Sequence, residues 1–186
     1  QCGGWTLVWQ GQPGNEMPGT PILAGIMQVA SQAQIKYNRD GNFSDGVIAE
    51  VGIAVVGEQP YAEGHGDRAD LSLSNGDLAL IERVKAHSKK LVVLLLSGRP
   101  LTITDALPKA DAFVAAWLPG TEGAGVADGL FGDFDFTGKL PYTWQRFNTQ
   151  LPAHSLSPRG CGPLFPYNYG LATNDPAQAI PTCPSQ

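Results

Sequence analysis

Val51-Gly-Ile-Ala-Val-Val-Gly57-Glu-Gln-Pro-Tyr-Ala-Glu63-Gly-His-Gly-Asp-Arg68 joins a short apolar run to a polar loop. An apolar run of this length, closed by Gly and Pro, reads as a buried strand. In an open α/β sheet, ligands bind outside the carboxyl ends of the strands. Chemistry is therefore expected on the loop after Val56, which carries Glu58, Glu63, His65, Asp67 and Arg68. A carboxyl enclosed by apolar neighbours has its charged form disfavoured, so its pKa rises. That suits a general acid working near neutral pH. Glu63 is the expected acid, with Pro60 and Tyr61 as its expected walls. The competing reading is a solvated loop carboxylate, with the adjacent Asp67 and Arg68 pairing with neighbours or with each other's surroundings in exposed pairs of little energetic weight.

Outward from this stretch the chain alternates. Leu91-Val-Val-Leu-Leu-Leu96 and Ala112-Phe-Val-Ala-Ala-Trp117 are two more buried strands, ended by Ser97-Gly98-Arg99-Pro100 and Leu118-Pro119-Gly120. Between the first two strands, Ser74 and Asp77 form an N-terminal helix signature, and Leu78, Ile81 and Val84 form its apolar face. His87 is placed to interact with that helix's carboxyl end. Thr121 or Glu122 opens a later helix in which Val126 and Leu130 share a face. Upstream, Thr20 is read as the cap of a helix with Pro21 at its first position, Ile22, Ile26 and Val29 on one face, and an end near Ala33. Gln34–Tyr37 is a short strand candidate, and Asp45–Glu50 a short helical lead-in. Lys139–Thr143 is an expected edge strand, because Pro141 lacks a ladder donor. Continuous apolar strands alternating with helices indicate an α/β fold, a mostly parallel sheet with helices on both faces. From about Gln145 onward, Pro, Gly and aromatics dominate without periodicity. The expectation is a single domain over 1–186, with a core over about 1–144 and an extended tail over 145–186.

Composition narrows the function. Charged residues are 16% and hydrophobic residues 42% of the 186, which places the chain among globular domains. The net charge of -5 and the scattered Lys and Arg argue against a nucleic-acid partner. No apolar run approaches a membrane span, so no membrane partner is expected. The three cysteines, Cys2, Cys161 and Cys183, fit no zinc spacing. A Cys161–Cys183 bridge, suited to an oxidising compartment, and three free thiols are equally open. His65, His87 and His154 show no ligand spacing, so no metal is expected. Gly123-Ala-Gly125-Val-Ala-Asp128 imitates a dinucleotide fingerprint, but Asp128 stands where the third Gly belongs. Close helix–strand packing is the expected role of these glycines. Ser97 has no G-x-S-x-G around it and is not a nucleophile elbow. Trp5 and Trp9 are either core side chains or flat platforms for a sugar ring.

Several of these stretches together resemble one family. Gly3-Gly4-Trp5-Thr6-Leu7-Val8-Trp9-Gln10-Gly11, Val56-Gly57-Glu58-Gln59-Pro60-Tyr61-Ala62-Glu63-Gly64, Leu96-Ser97-Gly98-Arg99-Pro100, Ala115-Ala116-Trp117-Leu118-Pro119-Gly120-Thr121-Glu122-Gly123 and Leu130-Phe131-Gly132-Asp133 are similar to the second domain of family 3 glycoside hydrolases. Phe136-Thr137-Gly138-Lys139-Leu140-Pro141 and Pro163-Leu164-Phe165-Pro166-Tyr167-Asn168-Tyr169-Gly170-Leu171 continue the match, and the β-glucan exohydrolase branch is the most similar.

The resemblance implies an α/β sandwich with a six-stranded sheet, following a (β/α)₈ barrel that supplies an aspartate nucleophile. It implies that Glu63 is the catalytic acid/base. It also implies that Trp9 clamps the sugar beyond the cleaved bond, with Trp5 beside it in the aromatic wall. Glu58 matches a family position without an assigned role. The barrel and the sandwich's first strand have no counterpart in this sequence. A fragment, or a chain completed by a partner, is therefore expected, inactive by itself. The function so implied is a domain of a retaining, exo-acting β-glucosidase or β-glucan glucohydrolase, secreted or periplasmic. Its expected partners are a β-glucan or gluco-oligosaccharide substrate and the barrel domain, and no cofactor is required. The alternative is a non-catalytic carbohydrate-binding or interaction module using Trp5 and Trp9. The broken glycine pattern argues against a third reading, a flavodoxin-like nucleotide binder.

Overall fold

The structure, a computed structural model, describes residues 5, 8–14, 17–151, 161–180 and 182–183. Cys2 and His154 lie outside the described residues. Among the described residues three parallel strands make the sheet, in the order β1 (Ala49–Gly57), β2 (Ser88–Leu96), β3 (Ala112–Trp117). Helix α1 (Ile22–Val29) precedes β1, α2 (Asn75–Ala86) connects β1 to β2, and α3 (Gly123–Phe131) follows β3.

Side chains alternate along β2 and divide the core. Leu91, Val93 and Leu95 face α2, where Ile81 and Val84 are buried with Leu71, Leu101, Ile103 and Trp144. Leu94 faces α1 and α3, with Ile22, Ile26 and Ala127. Both faces of β2 are thus covered, as its continuous apolar run requires, whereas β1, expected to be buried, leaves Val51 52% and Val55 38% exposed. The helix N-terminus read at Ser74 is present: its Oγ accepts from Asp77 N at 3.0 Å and donates to the Asp77 carboxylate at 2.7 Å. His87 ends α2, with Nδ1 2.8 Å from Arg83 O. Among the described residues no helix is long and apolar enough to cross a membrane.

Several local expectations are corrected by tertiary contacts. Thr20 does not cap α1, because its backbone is already engaged. Its N–H donates to Thr121 O at 3.0 Å, and its carbonyl accepts from Gly123 N at 2.9 Å. Pro21 therefore takes the cap position, and the helix ends at Val29 rather than near Ala33. Gln34–Tyr37 forms no strand: only Ile35 packs inward, and among the described residues no neighbouring strand satisfies its backbone. Asp45–Glu50 is not helical. Asp45 Oδ1 accepts from Val47 N at 3.1 Å, a local turn that competes with a helix, and β1 begins at Ala49.

Lys139–Thr143 is not a strand either. Leu140 N donates to Tyr169 O at 2.8 Å and its carbonyl accepts from Asn168 N, but Pro141 interrupts the ladder. Pairing resumes as a lone antiparallel bridge between Trp144 and Phe165. Trp144 is 2% exposed and its indole N–H donates to Leu101 O at 2.7 Å. Cys161 and Cys183 form a disulfide with Cα atoms 5.3 Å apart. The glycines at Gly25 and Gly123 pack helix on helix rather than helix on strand. A Cβ on Gly25 would stand 2.6 Å from Gly123 O.

Candidate active site

The site forms where β1 and β2 end side by side. Their parallel register pairs Gly57 with Leu96. Gly57 has φ +151°, and a Cβ there would stand 1.8 Å from Leu96 O, so only glycine lets the chain leave the sheet this way. Glu58 N then donates to Leu96 O at 3.0 Å, which holds the first residue of the loop to β2.

The loop folds around the Glu58 carboxylate, whose side chain is 6% exposed. Its Oε1 accepts from Arg99 Nε at 3.1 Å and Nη2 at 2.8 Å, and from Arg68 Nη2 at 3.1 Å. Its Oε2 accepts from the Tyr61 hydroxyl at 3.1 Å. The Arg99 guanidinium lies 4.8 Å from the Tyr61 ring centroid, a cation–π contact. Burial and the adjacent Glu58 charge push the Tyr61 phenol up from its ordinary pKa, so it remains the proton donor in this bond. Arg99 side-chain exposure is 24%, so removing Glu58 strands a largely buried cation and costs about 3–5 kcal/mol. Arg68 is 43% exposed, and its bond contributes about 0–1 kcal/mol.

Glu63 opens a single 3₁₀ turn over Glu63–Gly66. Its φ of 47° is left-handed, a conformation shared among described non-glycine residues only by Trp117 and Asn168. Strained backbone of this kind persists where the surroundings over-determine it, commonly at functional sites. The Glu63 side chain is exposed and makes no hydrogen bond or ion pair among the described residues. The walls expected from Pro60 and Tyr61 are not formed: the Tyr61 ring turns toward Arg99 and its hydroxyl toward Glu58.

The aromatic segment near the amino terminus meets this loop at three places. Trp5 packs edge-on against Tyr61 with ring centroids 6.0 Å apart. Trp9 lies 6.0 Å from the His65 ring and is itself 66% exposed. Between them Gln10 Oε1 accepts from Ala62 N at 2.9 Å. The structure therefore gathers Trp5, Trp9 and the Glu63 loop, which the sequence separates. A cleft of about 410 Å³ lies behind the loop, lined by Glu58, Tyr61, His65, Arg68 and Arg99 among others. Glu63 does not line this cleft and is exposed to solvent. Ser97 is buried and donates to Arg99 O at 2.7 Å, a scaffold role. Among the described residues no group of three or more His, Cys, Asp and Glu could hold a metal ion.

Sequence reasoning missed Gln10 and Arg99 and left Glu58 without a role. Gln10 carries no spacing signal at all. A signal did exist for the other two. Neighbouring parallel strands that end in register bring a residue one step past β1 beside a residue three steps past β2, and these carry opposite charges.

Comparison with known proteins agrees with the architecture. The Glycosyl hydrolase family 3 C-terminal domain model matches residues 1–173. The periplasmic beta-glucosidase of Salmonella typhimurium is 36% identical over 146 residues, covering 67% of this chain and 19% of that protein. The lysosomal beta glucosidase of Dictyostelium discoideum is 29% identical over 194 residues, covering 91% of this chain and 24% of that protein. A mutant of the exo-1,3/1,4-beta-glucanase ExoP from a Pseudoalteromonas species superposes with a TM-score of 0.80 at 36% identity, over 100% of this chain and 31% of that one. The chain thus spans less than a third of the length of each. A parallel three-stranded sheet with helices on both faces, and a family match over residues 1–173, lead to one conclusion: the chain belongs to the glycosyl hydrolase family 3 C-terminal domain family.

Proposed function

We propose that this chain is the acid/base-bearing domain of a retaining, exo-acting β-glucosidase or β-glucan glucohydrolase. The observation that carries this reading is the placement of Glu63. It sits at the carboxyl end of the sheet on a backbone held in the left-handed region, with a free, exposed carboxyl on the loop that meets Trp9. In the first step Glu63 gives its proton to the glycosidic oxygen as the bond from that oxygen to the anomeric carbon breaks. A carboxylate nucleophile from a barrel domain, in the same chain or a partner, bonds to the anomeric carbon. In the second step Glu63, now ionised, takes a proton from the water that displaces the nucleophile. Retention requires the two carboxyls about 5–5.5 Å apart. The barrel side of the cleft would also supply the enclosure that Glu63 lacks within this chain. Trp9, with Trp5 behind it, would offer its indole face to the leaving sugar. The substrate class is β-glucan or gluco-oligosaccharide, and no cofactor takes part. A secreted or periplasmic site is consistent with the Cys161–Cys183 bridge.

The test is Glu63→Ala in an active enzyme that includes this chain. Hydrolysis of unactivated laminari-oligosaccharides should fall by about 10²–10⁴-fold, the usual contribution of a general acid. Activated aryl glucosides should lose less in the first step, and azide should restore turnover as β-glucosyl azide. Near-normal oligosaccharide hydrolysis by the variant would rule Glu63 out. The exposure of Trp9 favours one second reading, a non-catalytic carbohydrate-binding module. Under both readings the 186-residue chain alone gives no turnover, since a retaining mechanism needs a nucleophile across the bond from Glu63. The readings part on Glu63→Ala, which a binding module tolerates without loss.

A further inference from the structure

We infer that Glu58 is a positioning residue for Glu63. Its buried carboxylate ties both ends and the middle of the loop into one clamp. This inference rests on the reading of Glu63 as acid/base.

Glu58 begins the loop and is held to β2 through its own N–H. Arg68, which ends the loop, donates to Oε1, so the two ends are joined across the carboxylate. Tyr61, in the middle, donates to Oε2. Arg99 reaches in from the loop after β2 with two donors, and its own backbone is fixed by the Ser97 hydroxyl. The carboxylate therefore accepts from three side chains on two loops. The Tyr61 ring is further confined by Trp5 at its edge, the Arg99 guanidinium over its face, and Gly66 beneath it. A Cβ on Gly66 would stand 2.3 Å from the ring, which measures how tightly the turn after Glu63 is drawn against it.

Glu63 lies between these anchors. Before it, Tyr61 is clamped and Ala62 N is held by Gln10. After it, the turn closes through Asp67 N to Gly64 O, and Arg68 returns to Glu58. Nothing holds the Glu63 side chain itself among the described residues. The left-handed backbone sets the direction in which the Glu63 side chain leaves the loop, and the clamp on either side holds that backbone. Glu58 is occupied by these donors and takes no proton in the reaction. Its role is geometric.

The test compares Glu58→Gln, Tyr61→Phe and Glu63→Ala in an active enzyme that includes this chain. Glu58→Gln conserves volume, removes the charge, and places an amide where one acceptor stood. Tyr61→Phe keeps the ring and removes only the bond to Oε2. A displaced acid hurts only bonds that need protonation. In Glu58→Gln, kcat/KM for laminaribiose should fall about 10- to 100-fold, as for a misplaced catalytic group. For 2,4-dinitrophenyl β-glucoside, whose leaving group needs no proton, it should stay within about threefold. The slope of log(kcat/KM) against leaving-group pKa should therefore steepen. Tyr61→Phe should move it the same way by a smaller amount, and it decides the matter if Glu58→Gln fails to fold. Equal losses on both substrates, or no loss on either, would overturn the inference. If Glu63→Ala steepens the slope and these variants leave it unchanged, Glu58 positions nothing while Glu63 remains the acid. If Glu63→Ala leaves the slope unchanged, both readings fall together.

Discussion

Replacing Glu63 by glycine should make the protein more stable than replacing it by alanine, although both remove the same carboxyl. The comparison isolates the backbone. Glu63 is exposed and its side chain makes no hydrogen bond among the described residues, so truncation to alanine should change stability by no more than about 0.5 kcal/mol. Alanine keeps the Cβ, and at φ 47° that atom crowds the following carbonyl. The left-handed conformation costs an L-residue roughly 1–2 kcal/mol, which glycine avoids. Glycine in turn loses more backbone freedom on folding, a penalty of roughly 0.5–1 kcal/mol. The difference leaves Glu63→Gly about 0.5–1 kcal/mol more stable than Glu63→Ala. In a domain of this size that is about 1–4 °C in Tm. Urea unfolding of the 186-residue chain, followed by tryptophan fluorescence, measures it, with thermal melts as a check. A glycine variant less stable than the alanine variant would refute the reasoning. The Glu63 backbone would then not be held left-handed in solution.

Three other outcomes are expected. Trp9→Ala should remove roughly 1–3 kcal/mol of apolar contact with the leaving sugar, weakening oligosaccharide hydrolysis more than aryl-glucoside hydrolysis. Because Trp9 is exposed, its loss should leave the urea midpoint nearly unchanged, and a collapse of folding would instead show it to be a core residue. Reducing Cys161–Cys183, which are 22 residues apart, should lower stability by about 3 kcal/mol, seen as a lower urea midpoint with reductant than without. The Tyr61 phenol has its folded pKa raised by burial and by Glu58, so its contribution is complete below the unfolded value, about 10, and is lost as pH rises through the folded value. Tm measured from pH 8 to 11.5 should therefore fall less steeply in Tyr61→Phe than in the unaltered chain, and parallel curves would contradict the assignment.

Local chemistry was legible wherever one stretch of chain decides the outcome by itself. Ser74 caps α2 because its hydroxyl needs only a residue three positions on. The apolar run of β2 buries Leu91, Val93, Leu94 and Leu95 between two covered faces, whereas β3, with the same apolar character, is only half-buried. Gly57 marks the end of β1 because no other residue tolerates that exit from the sheet. These signals placed Glu63 at the carboxyl end of a strand. On the loop alone a general acid stood beside a solvated carboxylate as readings of Glu63, and the resemblance favoured the first.

Tertiary structure decided what depends on a partner. Gln34–Tyr37 has strand character but no ladder to join among the described residues, and a strand's backbone groups must be satisfied by a neighbour. Thr20 has a capping side chain, yet its backbone was claimed by Thr121 and Gly123 from across the fold. Trp144 sits in a stretch without periodicity, and only the contact with Leu101 makes it core. Glu58 shows the limit most clearly. In sequence it is one more loop acid, equal to Asp67. In the fold, parallel register brings Arg99 alongside, loop closure brings Arg68, and the turn brings Tyr61. A carboxylate's meaning depends on which charges and donors lie within a few ångströms, and chain separation does not encode that distance. The sequence alone therefore determined the three strands of the sheet, the main helix cap and the loop where chemistry is expected, while only folding determined which strand candidates found no partner and which acid on that loop is free and which is held.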